Sequence, residues 1–242
     1  MRQAVLVAAL YDVHGNLPAL DAVLDEVAQM DVDLIVFGGD IAAGAFPRDT
    51  LARVRELSGR AFAIRGNADR ELLEEAPRNL SEWPAGQLDD DDRAFLRSLP
   101  PTLTVAIEGL GETLFCHATP RSDEETITQL TPDDIVRDAL GGVTASVVVC
   151  GHTHMQYVRD VRGIKLVNAG SVGMPYEDRP GAYWALVGGD IEHRRTEYDL
   201  ERAAALIRAT EWPMAEEIAA ENVLTVPPPA EVAPFFEHQA GR

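Results

Sequence analysis

The amino-acid sequence predicts an α/β fold, and three observations carry that prediction. Apolar runs of strand length, rich in Val, Ile and Leu, recur along the chain: AVLVAAL, DLIVFGG, AFAIRG, LTVAI, TLFCHA, SVVVCGH, IKLVNAG and AYWALV. Between the first three lie segments whose apolar residues fall at three- and four-residue spacing, the helical period. Strands that alternate with helices imply βαβ units and parallel pairing in the first half of the chain.

Each element follows from local chemistry. MRQAVLVAAL has the look of a signal-peptide core, but it is short and runs straight into Asp12 and His14, a poor cleavage region, so it reads as a buried strand. Leu17-Pro18 followed by Leu20, Val23, Leu24 and Val27 reads as a helix with Pro18 in its first turn. Thr50 to Leu57 has the same spacing. From about Leu103 the strands come closer together, with EGLGET as a hairpin turn, which predicts a second, more antiparallel sheet. Residues 70–101 are acidic and punctuated by Trp and Pro, and read as a helical insertion over one face, a small lid. Helical pattern returns at Leu200 to Arg208 and Met214 to Ala220, before VPPPAEVAP marks a stiff, poorly packing tail. The expected organisation is one domain over 1–198 with a C-terminal helical extension and Pro-rich tail over 199–242. No internal repeat is found.

Composition narrows the function classes. At 46% hydrophobic residues the chain has ample material for a core. Lys and Arg number 21 against 40 Asp and Glu, a net charge of −19, which opposes a long nucleic-acid track or an anionic membrane surface. It leaves open a small phosphorylated substrate held through metal ions. No apolar run approaches the ~18 residues of a membrane span. Two cysteines, Cys116 and Cys150, are too few for a disulfide framework, so the expected location is the cytoplasm, with both thiols free and buried. The NLS sequon at Asn79 carries no weight without an export signal.

The informative feature is where ligand-type residues fall. Five strand-like runs end on them: VAALYDVHGN on Asp12 and His14, LIVFGGD on Asp40, FAIRGN on Asn67, TLFCHA on His117, and VVVCGHTH on His152 and His154. A lone Asp or Asn after a strand is usually a cap or a turn residue, and His193 and His238 belong to that ordinary class. Five strand ends that each supply a suitable donor are hard to obtain by capping alone. In open α/β sheets the loops past the carboxyl ends of strands converge on one crevice. Seven N and O donors exceed a four-coordinate zinc site, and fit two divalent ions ~3.5–4 Å apart with bridging oxygens. Glycines at 15, 39, 66 and 151 let the backbone turn close to such a site. Imidazole with carboxylate and amide oxygen, and no thiolate, suits Mn, Fe, Zn or Ni.

The ordered set DVHGN, GGD, GNAD, CH and GHTH resembles the calcineurin-like metallophosphoesterase superfamily, in its small bacterial and archaeal phosphodiesterase branch. The resemblance covers about residues 1–198 and extends to VNAGSVG, with Ala169 where the family often has Pro and Tyr11 where it often has Ser. It implies a four-layer αββα sandwich of two mixed sheets flanked by helices. Asp12, His14 and His154 would hold one metal, Asn67, His117 and His152 a second, with Asp40 bridging; manganese is the first expectation among the ions. The implied reaction is hydrolysis of a small phosphodiester, cyclic nucleotides included, by a hydroxide bridging the two ions. The alternatives are a phosphomonoesterase or protein phosphatase, and a non-catalytic scaffold of the same fold. Asn67 and Asp69 are the expected catalytic residues; Asn67, Arg121 and Tyr176 are the expected phosphate or substrate contacts, with Arg179 at the border. Arg65 is expected to be structural. Many family members carry His after the motif Asn, as a leaving-group acid. Ala68 stands there instead, which predicts a preference for good leaving groups, or a diester with another proton source.

Overall fold

The computed structural model describes residues 6–75 and 81–242; the sequon at Asn79 lies outside them. In chain order the elements are β1 (Val7–Leu10), α1 (Leu17–Val27), β2 (Leu34–Phe37), α2 (Pro47–Glu56), β3 (Ala61–Ala63), α3 (Asn67–Glu71), α4 (Glu82–Gln87) and α5 (Asp90–Ser98). There follow β4 (Thr102–Ile107), β5 (Gly111–Cys116), α6 (Asp133–Ala139), β6 (Val147–Cys150), β7 (Gln156–Val161), β8 (Ile164–Ala169), β9 (Ala182–Val187) and β10 (Ile191–Thr196). The chain then enters α7 (Leu200–Arg208), α8 (Ala215–Ile218), a π-helical segment (Ala219–Leu224) and α9 (Pro229–Gln239).

Two five-stranded sheets result, ordered β10-β9-β1-β2-β3 and β4-β5-β6-β8-β7. Both are mixed. In the first, β1, β2 and β3 run parallel, as the alternation with α1 and α2 requires, and β9 joins antiparallel to β1. The second sheet corrects the expectation of a more antiparallel one, since like the first it has two parallel and two antiparallel pairings. Its centre, β5, β6 and β8, is parallel, and only its edge strands β4 and β7 run antiparallel. The EGLGET turn does make the β4–β5 hairpin.

Period-two alternation sorts side chains between layers. Val7 and Ala9 of β1 meet Phe115, Val147, Val149 and Val167 of the opposite sheet, forming the inter-sheet core. Ala8 and Leu10, on the other face, pack with Leu20, Val23 and Leu51 beneath α1 and α2. On the far side, Cys116, Val148 and Cys150 turn toward Val136 and Ala139 of α6. The layers are therefore αββα, as expected, and both thiols are free and buried. Tyr11 belongs to the inter-sheet layer: its ring lies against Gly38 and its hydroxyl donates to the Val149 carbonyl at 2.9 Å.

The 70–101 region supplies Leu72, Ala85, Leu88, Leu96 and Leu99 to the same core as α1 and α2. The tail departs from the poorly packing segment expected. After the proline run, α9 buries Ala233 and Glu237, because Pro229 starts a helix as readily as it ends one. No described helix is long and apolar enough to cross a membrane.

Candidate metal centre

The five strand ends do converge. Beyond the last sheet bonds the loops after β1 and β2 continue to pair: Asp12 N–H donates to the Gly39 carbonyl (3.1 Å), and His14 N–H to that of Asp40 (2.8 Å). The loops after β5 and β6 are joined the same way, Gly151 N–H to the His117 carbonyl at 2.8 Å. The VNAGSVG segment ties the two sheets' loops together. Asn168 donates to the Gly151 carbonyl (2.7 Å) and the Ser171 hydroxyl to the Asp12 carbonyl (2.7 Å).

The backbone here is strained. Among the described residues six non-glycine positions have left-handed φ, and five of them are Asp12, His14, Asp40, His152 and His154. Each such conformation costs on the order of 1 kcal/mol and persists where its surroundings over-determine it, commonly at functional sites. The neighbouring glycines are there for approach: a Cβ on Gly66 would stand 2.1 Å from Asp40 Oδ1, and one on Gly151 2.4 Å from Asp12 Oδ2.

Every histidine of the set is oriented by a backbone carbonyl. His14 Nδ1 faces Ala43 O (3.3 Å), His117 Nδ1 Gly38 O (2.9 Å), His154 Nδ1 Met174 O (2.6 Å), and His152 Nε2 Glu124 O (3.2 Å). Each therefore keeps its other ring nitrogen for the centre, the arrangement that fixes a metal-binding tautomer. Those nitrogens cluster about two carboxylates. Asp40 Oδ2 lies 3.6 Å from His14 Nε2 and 3.4 Å from His117 Nε2; Asp12 Oδ1 lies 3.4 Å from His154 Nε2 and 3.8 Å from His117 Nε2. One terminal atom of the Asn67 amide is 3.0 Å from His117 Nε2 and 3.1 Å from His152 Nδ1. Both Asp40 and Asp12 thus stand between two histidines, where one bridging carboxylate was expected.

These residues fit divalent cations. Asp12 Oδ1 is buried with no hydrogen-bond partner among the described residues, a costly state for a carboxylate oxygen that a cation would relieve. Two groups of donors gather within 4.8 Å: Asp12, His14 and His154, and Asp12, Asp40 and His117. In the metal-free protein the charges are coupled. Burial pushes the Asp40 carboxyl up, but His117 outweighs it and holds Asp40 well below the usual range. Burial lowers His117, yet Asp40 and Asp12 carry it to about 10. His152 falls to about 4 through burial and repulsion from His117.

The other expected residues are placed unevenly. Asp69 is fully buried behind the centre and its carboxylate accepts from the backbone N–H of Ile41 (2.8 Å) and Gly66 (3.1 Å). It does not line the cleft over the centre. These bonds tie the carboxylate to the loop that follows Asp40 and to the glycine before Asn67. Arg121 is paired with Glu125 and Asp138. Tyr176 stacks on His154, ring centroids 5.2 Å apart at 19°. Among the described residues no contact places Arg179 at the centre.

Two clefts reach the ligand cluster. One, about 250 Å³, exposes His14, Asp40, Asn67, His152 and His154 beneath Tyr176. The other, about 330 Å³, runs from His117 past Arg65, Arg70 and Arg121. Arg70 is paired with Asp123 and Glu124, whereas Arg65 makes no ion pair among the described residues and its Nε is buried without a partner. Arg65 was expected to be structural, and an arginine before Gly-Asn carries no sequence signal of its pairing.

Residues 5–189 match the model of the calcineurin-like phosphoesterase superfamily domain. An uncharacterized protein of Methanocaldococcus jannaschii is 27% identical over 237 residues, covering 86% of this chain and 95% of that one. Phosphodiesterase YfcE of Escherichia coli K12 is 26% identical over 184 residues, 72% of this chain and 83% of its own. Among solved structures, a metallophosphoesterase from Sphaerobacter thermophilus superposes with a TM-score of 0.72 at 26% identity, covering 90% of this chain and all (100%) of that one. A hypothetical protein of Pyrococcus horikoshii reaches 0.79 at 21% identity, covering 89% and 97%, a likeness of fold.

Proposed function

Because the chain belongs to the calcineurin-like phosphoesterase superfamily, we propose that this phosphoric ester hydrolase cleaves a small phosphodiester at a centre of two divalent ions. Asp12, His14 and His154 would hold one ion and Asn67, His117 and His152 the other, with Asp40 between them and Asp12 close to both. When bound, the ions supply a nucleophile at neutral pH and neutralise charge developing on the phosphoryl oxygens. Manganese is the first ion to test, since the donor set is nitrogen and oxygen throughout.

The observation that carries the diester reading is the pair of clefts on the ligand cluster. A diester has two organic arms to place, and a monoester has one. Asn67, half-buried at the mouth of the first cleft, can reach both an ion and a phosphoryl oxygen. Arg65, in no ion pair among the described residues, lines the second cleft and can give a charge-assisted hydrogen bond to an anionic arm. Ala68 faces the first cleft where an imidazole acid would stand in other members. The chain's own side chains thus offer no histidine there to protonate the departing oxygen, and good leaving groups are favoured. A purely scaffolding role has weaker support, because a docking surface has no use for five strained donors and an orphaned buried carboxylate oxygen.

The test is metal analysis of the purified protein together with hydrolysis of bis- and mono-p-nitrophenyl phosphate in added Mn²⁺. Two ions per chain and faster diester cleavage are expected; no bound ion and no hydrolysis with any divalent metal would overturn the proposal. Ala68→His should raise turnover on alkyl esters more than on nitrophenyl esters, and equal effects on both would remove the leaving-group argument.

A further inference from the structure

Helix α9 lies beyond residue 189, where the family match ends, yet it reaches the centre. Phe236 lines the same cleft as His14, Asp40 and His152. Its ring stands 6.0 Å from that of Tyr176, tilted by 53°, and Tyr176 in turn stacks on His154. A ladder of three rings therefore climbs from the ligand cluster up one wall. The same cleft also has a polar lining: Ser81 donates to Glu71 at 3.2 Å, and the Asn67 amide lies 3.5 Å from the same carboxylate.

Phe236 is held there by its neighbour. Glu237 is 7% exposed and accepts from Thr128 Oγ1 (2.7 Å), Thr131 Oγ1 (2.5 Å) and Arg242 Nε (2.7 Å). Arg242 also donates to the Thr126 carbonyl at 2.8 Å. A carboxylate with three charge-assisted bonds fixes the last turns of α9 far more firmly than a free chain end. Phe235, one residue earlier, points to solvent at 56% exposure. Of two adjacent phenylalanines, one is spent on the surface and one is anchored over the reacting centre.

We propose that this cleft binds a flat aromatic or nucleobase arm of the phosphoester against Tyr176 and Phe236, with Phe236 a specificity-determining residue supplied by α9. Half-buried rings beside a charged centre gain from covering by another ring, both through area removed from water and through ring–ring geometry. At about 250 Å³ the cleft has room for a small ring system and none for a folded polypeptide. The polar lining suits the heteroatom edge of a base. The inference rests on the phosphoesterase reading above.

The test uses the full-length, Mn²⁺-loaded protein and two probes that cannot be hydrolysed at the phosphorus–carbon bond, phenylphosphonate and methylphosphonate, titrated calorimetrically beside inorganic phosphate. The parent should bind phenylphosphonate about 3- to 10-fold more tightly than methylphosphonate. Phe236→Ala should abolish that preference while leaving methylphosphonate and phosphate unchanged; Phe236→Tyr should retain it, and Phe235→Ala should not alter it. Equal binding of both phosphonates by the parent, or an equal loss for all three probes in Phe236→Ala, would overturn the inference and leave the phosphoesterase reading intact. Failure of the parent to bind any of the three, with no hydrolysis of any ester, would overturn that reading and this inference with it.

Discussion

The two halves of the candidate centre use the same chemistry at different depths. In the inner half Asp12 is fully buried and His14 and His154 are 8% and 7% exposed. In the outer half only His117 is so enclosed; Asn67 and His152 are half-buried at the cleft mouth. The difference follows from how each donor is carried. The inner donors sit on loops laced to both sheets through Ser171, Asn168 and the carbonyl of Gly39. Asn67 instead opens the five-residue helix α3, and His152, although it shares the loop of His154 and donates its N–H to Asp12 Oδ2 (2.9 Å), turns its ring outward to the Glu124 carbonyl. An enclosed, laced half is suited to a permanently held ion. The open half is suited to exchange water and admit substrate oxygens.

The sharpest way to break this comparison is to remove what the halves share. Asp40 stands between His14 and His117, so Asp40→Asn should disable both halves and lower hydrolysis by about three orders of magnitude or more. Residual activity near the parent's would mean that the halves do not act together. Next in size are the single-sided losses. His152→Ala should keep one tightly held ion per chain and lose the exchangeable one, whereas His14→Ala should impair retention of both, since the inner half would then lose its closed set. Metal stoichiometry after gel filtration reads the outcome. Equal stoichiometry in the two variants would show that depth does not separate the halves.

The same contrast explains what was legible in the sequence. The seven residues expected as donors from their places at strand ends do lie together, because parallel strands bring their carboxyl ends to one edge whatever their separation along the chain. The αββα layering followed from the resemblance, and the helix–strand alternation foreshadowed the parallel first half. What lay hidden depends on partners distant in sequence. Glu237 anchors α9 on residues 106 and 109 positions away, so VPPPAEVAP read alone looked like a stiff, poorly packing tail. Strand β10, IEHRRT, is a polar edge strand whose pattern lacks the apolar run that marked the others. Asp69 was expected among the catalytic residues because it follows the motif, and the three backbone N–H groups it accepts from, those of Ile41, Ala42 and Gly66, could not be read from that motif. The left-handed backbone at five donors leaves no trace except the glycines beside them.

Protons and metal ions compete at His117, which gives the contrast a pH signature. In the metal-free protein its pKa is about 10, above the ordinary value of 6.5, because Asp40 and Asp12 outweigh burial. The folded state then binds more protons than the unfolded state between these values, so this group's stabilisation is complete below about 6.5 and is lost as pH rises through 10. Asp69 acts in the same direction lower down: burial and repulsion from Asp40 raise it to about 7, so its contribution declines between its unfolded value of 3.8 and 7. The melting temperature of the metal-free protein should therefore fall as pH rises from about 6.5 toward 10, and the shift on adding Mn²⁺ should widen over the same window. His117→Asn should flatten both trends. Trends unchanged in that variant would mean that His117 is not the group in competition.

The smallest effect tests the strain itself. His152 has φ of +67°, a conformation that alanine resists and glycine accepts. His152→Ala and His152→Gly delete the same ligand and the same anchor to Glu124, so their difference isolates the backbone. In the metal-free protein the glycine variant should be the more stable by about 1 kcal/mol, measured by urea unfolding, because the left-handed penalty outweighs the extra freedom glycine brings to the unfolded chain. Since both variants lack the outer ligand, neither should recover activity. A glycine variant no more stable than the alanine one would mean that the loop after β6 relaxes without its histidine. The strain would then be imposed by the ligand cluster rather than by the surrounding lacing of the loops.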